Sequence, residues 1–398
     1  MPNQPVIVAA RRTPVGKFFG SFARVASPQI GAFAIEAALA DAPAAKDHID
    51  ECIMGCVLQA GLGQNPARQA GLKAGLPDTL SAKTVNKVCG SGLEAVMMAA
   101  QSIKAGDNHC VVAGGMENMT GAPHFSHVRQ GIKYGPGTME DHMAYDGLRC
   151  AFECWPMGNA AEHTAGEHSI TREDQDRFSA QSHQRAAAAW EAGHFDSEVV
   201  KLTGEQLGNR RNPGPDGGIN IDEGIRGDST ADGLAKLRPA FTKDGTITAG
   251  NASQISDGGA ATIVMSESKA AELGLAPLCK IVAYNTSGVA PKDIFTAPIT
   301  GVQGALDKAG WSVDDVDLFE INEAFAAQLL CNIKALGINE DKLNICGGGV
   351  AIGHPIGASG ARVLVTLIHQ LKRTGGKKGV AALCLGGGNS VAVCIEMC

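Results

Sequence analysis

Short apolar runs alternate along this chain with longer stretches in which apolar positions return every third or fourth residue. The first pattern predicts buried strands and the second helices with one buried face. Pro5-Val6-Ile7-Val8-Ala9-Ala10 is a strand, residues 29–42 a helix, and residues near 51–58 a strand. Cys110-Val111-Val112-Ala113 is another strand, ending in Gly114-Gly115-Met116-Glu117. From about 119 to 250 Gly, Pro, His, Asp and Arg are frequent and apolar runs are short, although the pattern allows helices around 171–192. The alternation resumes with strands at Ala261-Thr262-Ile263-Val264-Met265 and Lys280-Ile281-Val282-Ala283-Tyr284, a helix over 301–309, and a strand at Asp317-Leu318-Phe319-Glu320-Ile321. Such alternation predicts a layered α/β fold with a largely buried sheet. The 119–250 stretch reads as an inserted lobe leaving the sheet at a loop, where binding residues often sit.

The last segment repeats the order of an earlier one. Ala358-Ser359-Gly360 precedes a helix with Val363, Leu364, Leu367, Ile368 and Leu371 on one side, then the strand Gly379-Val380-Ala381-Ala382-Leu383 and the cluster Gly386-Gly387-Gly388. Gly90-Ser91-Gly92, its helix, the strand at Cys110 and Gly114-Gly115 come in the same order. A duplicated lobe is implied. Two such halves facing each other bring their glycine-lined turns to one site.

In the first of these turns, Val85-Asn86-Lys87-Val88-Cys89-Gly90-Ser91-Gly92 reads as a short strand, a glycine turn carrying a cysteine, and a helix start. Leu93, Val96, Met97, Ala100 and Ile103 mark the buried face of that helix. Its free N–H groups and positive end then point toward Cys89. A helix N-terminus lowers a thiol pKa from roughly 8.5 to as little as ~3.5–7.5, which makes a nucleophile. The competing reading is packing, since most of the 12 cysteines must be structural.

Composition narrows the partners. With 398 residues the chain exceeds a single core, and 44% hydrophobic with 19% charged residues indicates a compact protein. The net charge of −7 carries no basic run, which argues against nucleic acid and for small molecules. No apolar run reaches the roughly 18–20 residues of a membrane span. Cysteines without metal-type pairs, and no secretory pattern at Met1-Pro2-Asn3-Gln4-Pro5, point to reduced thiols in the cytoplasm.

Three further positions offer chemistry. His354 lies in the glycine-rich 347–360 stretch beside Pro355 and can act as a base; the Lys-Ser/Thr ending of a phosphate loop is absent there. Cys384 closes an apolar strand just before Gly386, and as a second thiol near its working range suits a general base. Asn322 is either the N-cap of a following helix or a donor pointing into a cleft.

Together Val88-Cys89-Gly90-Ser91-Gly92, Gly250-Asn251-Ala252-Ser253, Asn322-Glu323-Ala324-Phe325, Gly353-His354-Pro355-Ile356-Gly357 and Cys384-Leu385-Gly386-Gly387-Gly388 resemble the thiolase family in order and spacing. The match runs along nearly the whole chain and is most similar to the biosynthetic, acetyl-CoA acetyltransferase branch. It implies a thiolase fold: a half at 1–118 completed by about 251–272, an inserted CoA-binding loop domain at 119–250, and a half at 273–398. It implies that Cys89 takes the acetyl group of acetyl-CoA with His354 activating its sulfur. Cys384 would deprotonate a second acetyl-CoA, and acetoacetyl-CoA and CoA leave. His354 with a water held by Asn322 would form one oxyanion hole, and the N–H groups of Cys89 and Gly386 the other. For coenzyme A the resemblance places Arg226 at the adenine and phosphate end, Leu148, Phe241 and Ser253 along the pantetheine, and Met157 and Phe325 near the acyl group. It implies a homotetramer and no metal or redox cofactor.

Two departures touch the substrate pocket: Pro156-Met157-Gly158 stands where biosynthetic members have His-Met-Gly, and Ile294-Phe295 where Met-Gly is common. The competing expectations are a 3-ketoacyl-CoA thiolase of longer chains and a non-catalytic acyl-CoA-binding protein.

Overall fold

The computed structural model describes residues 3–208 and 212–398, so Met1 and Pro2 lie outside the described residues. Its main strands are β1 (Pro5–Arg12), β2 (Glu51–Gly55), β3 (Ser81–Val85), β4 (Cys110–Asn118), β5 (Ser256–Ser266), β6 (Cys279–Gly288), β7 (Leu318–Ile321), β8 (Lys378–Leu385) and β9 (Asn389–Met397). The main helices are α1 (Ser27–Asp41), α2 (Pro66–Lys73), α3 (Ser91–Ala105), α4 (Met157–Glu167), α5 (Arg172–Glu191), α6 (Ala297–Ala309), α7 (Ala326–Leu336) and α8 (Ser359–Thr374). With the two-residue strand Gly16–Lys17 laid on β5, the strands form one ten-stranded sheet in the order β7-β8-β9-β6-β1-β5-β4-β2-β3.

That order is nearly symmetric about the β6–β1 junction, where Val6 pairs with Lys280 and Ile7 with Cys279. Outward from β1 the pairings run antiparallel to β5, antiparallel to β4 and parallel to β2. Outward from β6 they run antiparallel to β9, antiparallel to β8 and parallel to β7.

Alternation along each strand divides the core into layers. Val111 and Ala113 of β4, with Ala381 and Leu383 of β8, join the apolar stripes of α3 and α8 in one cluster. Their neighbours Cys110 and Val112 turn outward to α1, and Val380 and Ala382 outward to α6 and α7. Helices thus cover both faces of the strands, which is why β4 reads as a continuous apolar run.

The two central helices begin against each other. A Cβ on Gly360 would lie 2.3 Å from Leu93 N, and one on Gly92 2.8 Å from Ala361 N. Only glycine permits that approach, and it brings the Cys89 and His354 turns together. Gly114 and Gly115, expected to end their strand, instead lie inside β4. Added Cβ atoms there would sit 2.1 Å from Ala260 O and from Gly357 O, so these glycines admit close neighbours.

The 119–250 segment is moored by one buried cation. Arg12, at the end of β1, bonds Glu198 at 2.5 Å and Asp222 through two nitrogens at 2.7 and 3.1 Å. Glu198 also accepts from Thr366 of α8 at 2.8 Å. Removing one partner would strand a buried charge, at a cost of about 3–5 kcal/mol.

Candidate active site

Cys89 sits between β3 and α3 in a turn braced by Ser91. The Ser91 hydroxyl donates to Val88 O (2.6 Å) and accepts from the Lys87 N–H (2.9 Å). Val88 is held at a φ of 47°, a conformation that non-glycine residues rarely adopt. A Cβ on Gly90 would come 2.3 Å from a Leu385 methyl and 2.9 Å from a Val391 methyl of the other half, so a larger residue there would have to displace those side chains. The backbone N–H groups of Cys89 itself and of Gly386 favour the ionised form of the Cys89 sulfur.

His354 is fixed from several sides. Its N–H donates to Gln254 O and Ser256 Oγ, each at 3.2 Å. Its Nδ1 lies 2.6 Å from Ser359 Oγ, and that hydroxyl donates to Pro355 O at 2.9 Å. A hydroxyl has one proton, and a carbonyl can only accept. Nδ1 therefore carries the hydrogen that Ser359 accepts, and Nε2 is left as the basic nitrogen. Asn322 Nδ2 stands 3.4 Å from each ring nitrogen. It is not an N-cap: α7 begins at Ala326, with Phe325 as its cap residue.

Cys89, His354, Cys384 and Gly386 line one cavity of about 720 Å³. Leu148, Met157, Phe241, Ser253 and Phe325 line the same cavity. Asn322 is fully buried behind the imidazole. Arg226 does not reach this wall: it is exposed, on a segment whose Gly224 carbonyl accepts from Gln254 at 2.9 Å.

The electrostatics differ from the expectation of a helix-lowered thiol. Although Cys89 keeps some surface at the cavity, burial pushes its thiol up to about 12, the two N–H groups offsetting only part of this. Cys384 is also raised, first by burial and then by the neighbouring Cys89. It does not titrate near neutrality in the free protein. Burial, and then Arg362, lower His354 to about 3. Burial thus favours the neutral form of both thiols and of the imidazole in the free protein.

Residues 5–268 match the family description "Thiolase, N-terminal domain" and residues 275–397 "Thiolase, C-terminal domain". The chain belongs to the thiolase family. It is 51% identical over 391 residues to the acetyl-CoA acetyltransferase of Chromobacterium violaceum, covering 98% of each chain. To that of Cupriavidus necator it is 50% identical over 392 residues, again 98% of each. The crystal structure of the Bacillus anthracis acetyl-CoA acetyltransferase superposes with a TM-score of 0.95 at 42% identity, covering 99% of each chain.

This thiolase also uses polar residues to which sequence reasoning gave no role. Glu117 of β4 is fully buried and accepts from the N–H groups of Val57 (3.0 Å), Leu58 (3.2 Å) and Gly357 (2.9 Å), tying the His354 turn to the loop after β2. Burial raises it to about 7. Gln254 holds the carbonyls of Val350 and Ala351 at 3.0 and 3.1 Å. A carboxylate inside an otherwise apolar strand was the available signal for Glu117; nothing local distinguishes Gln254.

Proposed function

We propose that this chain is an acetyl-CoA C-acetyltransferase, condensing two acetyl-CoA to acetoacetyl-CoA and CoA and catalysing the reverse thiolysis. The observation that carries this reading is the meeting of two thiols, one imidazole and Gly386 on a single cavity wall. Relatives about half identical along the whole chain carry that name.

In the first half-reaction the Cys89 sulfur attacks the thioester carbonyl and its proton passes to His354 Nε2. The C–S bond to coenzyme A breaks, and CoA leaves as the thiol with that proton. Because burial raises the thiol and lowers the imidazole, proton transfer accompanies C–S bond formation rather than preceding it. In the second, His354 takes the Cys384 proton, and the resulting thiolate removes a methyl proton from a new acetyl-CoA. The carbanion attacks acetyl-Cys89, the acyl C–S bond breaks, and Cys89 recovers a proton from His354. The Cys89 and Gly386 N–H groups stabilise the tetrahedral oxyanion, each such donor being worth about 10²–10³ in rate. Protonated Nε2, with a water held by Asn322, serves the enolate oxygen.

The reading includes coenzyme A lying along Leu148, Phe241 and Ser253, its adenine end reaching Arg226 on the 119–250 loop domain, and no resident metal or redox cofactor. It includes a cytoplasmic homotetramer, to which exposed Val128, Ile132, Tyr134 and Met139 offer apolar surface. Mixing the protein with acetoacetyl-CoA and CoA should yield acetyl-CoA in steady turnover. Saturable binding of acetoacetyl-CoA without turnover would leave only the acyl-CoA-binding alternative.

A further inference from the structure

The cavity has a wet end and a dry end. Tyr145 and Phe241 on its wall are 45% and 38% exposed, whereas Phe325 is 8% and Ile294 and Phe295 are each 2% exposed. The dry end belongs to the apolar cluster that contains Cys384. It is closed by the turn Pro291–Thr296, which is fastened to the turn after Cys384: the Val289 N–H donates to Gly388 O at 2.7 Å.

Phe295 is fixed there through both its ring and its carbonyl. Its ring packs edge-on against Phe325 with centroids 5.3 Å apart. Its carbonyl accepts from Asn332 Nδ2 (2.8 Å), Asn332 Oδ1 accepts from Gln328 Nε2 (2.7 Å), and Gln328 Oε1 accepts from the Ala324 N–H (3.0 Å). Gln328 and Asn332 are fully buried, so this relay ties the wall to the segment that carries Asn322.

We propose that Phe295 is the chain-length determinant of this enzyme, closing the acyl end so that acetyl on Cys89, and hence the four-carbon 3-ketoacyl thioester, is accepted while longer straight chains are excluded. The inference rests on the acetyltransferase reading above and specifies its substrate class. In thiolysis the 3-keto carbon and everything beyond it become the acyl group on Cys89. Each methylene added there must find room beside the dry wall. A single extra methylene in an apolar pocket changes discrimination by about 10–200-fold, and two add further.

The test is kcat/KM for thiolysis of acetoacetyl-CoA and 3-ketohexanoyl-CoA by the wild type, Phe295→Gly and Phe295→Leu. The wild type should favour the four-carbon substrate by ~10²-fold or more. Phe295→Gly should narrow that ratio at least about tenfold, and Phe295→Leu should fall between. If the glycine variant does not fold, the leucine variant alone decides. A wild type active on both substrates without preference would overturn the proposal, as would variants that keep activity with an unchanged ratio. Failure of the wild type to turn over acetoacetyl-CoA at all would instead defeat the underlying reading, and this inference with it.

Discussion

Ser91 at the start of α3 and Ser359 at the start of α8 occupy matching places in the two halves, yet they hold different things. Ser91 closes a turn on itself, joining the Lys87 N–H to the Val88 carbonyl. Ser359 makes the same kind of return bond, to Pro355 O, but its lone pair receives an imidazole instead of a backbone N–H. One half thus shapes the peptide around Cys89, and the other selects the tautomer of His354. A duplicated scaffold supplies both jobs because the central helices start against each other at Gly92 and Gly360.

The comparison is tested most severely at Ser359. Ser359→Ala leaves Nδ1 without its acceptor and frees the imidazole to adopt the other tautomer. We expect kcat to fall by about 10²-fold with KM little changed, since general acid–base help is worth ~10²–10⁴. A loss of thermal stability with unaltered kcat would mean that Ser359 only caps the turn. Ser91→Ala should show the reverse: about 1 kcal/mol less stability in urea unfolding, as for a lost turn or cap bond, and less than about tenfold in kcat.

The smallest expected effect is the response to acid. With His354 lowered to about 3, its imidazole stays a neutral base down to well below neutrality. Single-turnover release of CoA from acetyl-CoA should therefore stay level from about pH 8 to pH 5, against the limb near 6.5 of an unperturbed histidine. Stability follows the same sign. Between about 3 and 6.5 the unfolded chain binds more protons at His354 than the native one, so this contribution is complete above 6.5 and is lost as pH falls. Glu117, raised to about 7 from 4.5, acts oppositely: its contribution is complete below 4.5 and is lost as pH rises through 7.

Much of this arrangement was legible before any coordinates. Doubly buried strands leave continuous apolar runs, and α3 and α8 announce themselves by spacing, so the layered fold and the repeated helix starts were readable. The strand ends were not. Gly114 and Gly115 read as a stop because a sequence shows a missing side chain but not the carbonyls of Ala260 and Gly357 crowding that place. Asn322 read equally as a cap or a donor because the start of α7 depends on how Phe325 packs. The thiol energetics differ for a related reason: the N–H groups that favour the Cys89 thiolate are its own and that of Gly386 rather than those of Gly90 and Ser91, which bond Lys87 O and Val88 O, and the burial that outweighs them depends on packing with a half more than two hundred residues away. Glu117 and Gln254 escaped because their partners are backbone groups distant in sequence.

The central claim is that Cys89 carries the acetyl group while Cys384 handles the carbon-bound proton. The most direct measurement is peptide mass analysis after incubating wild type and Cys384→Ala with acetyl-CoA. Both should carry one acetyl group on Cys89, and the variant should release almost no acetoacetyl-CoA. An acetyl group found on Cys384, or acetylation of Cys89 abolished in the variant, would contradict the division of labour.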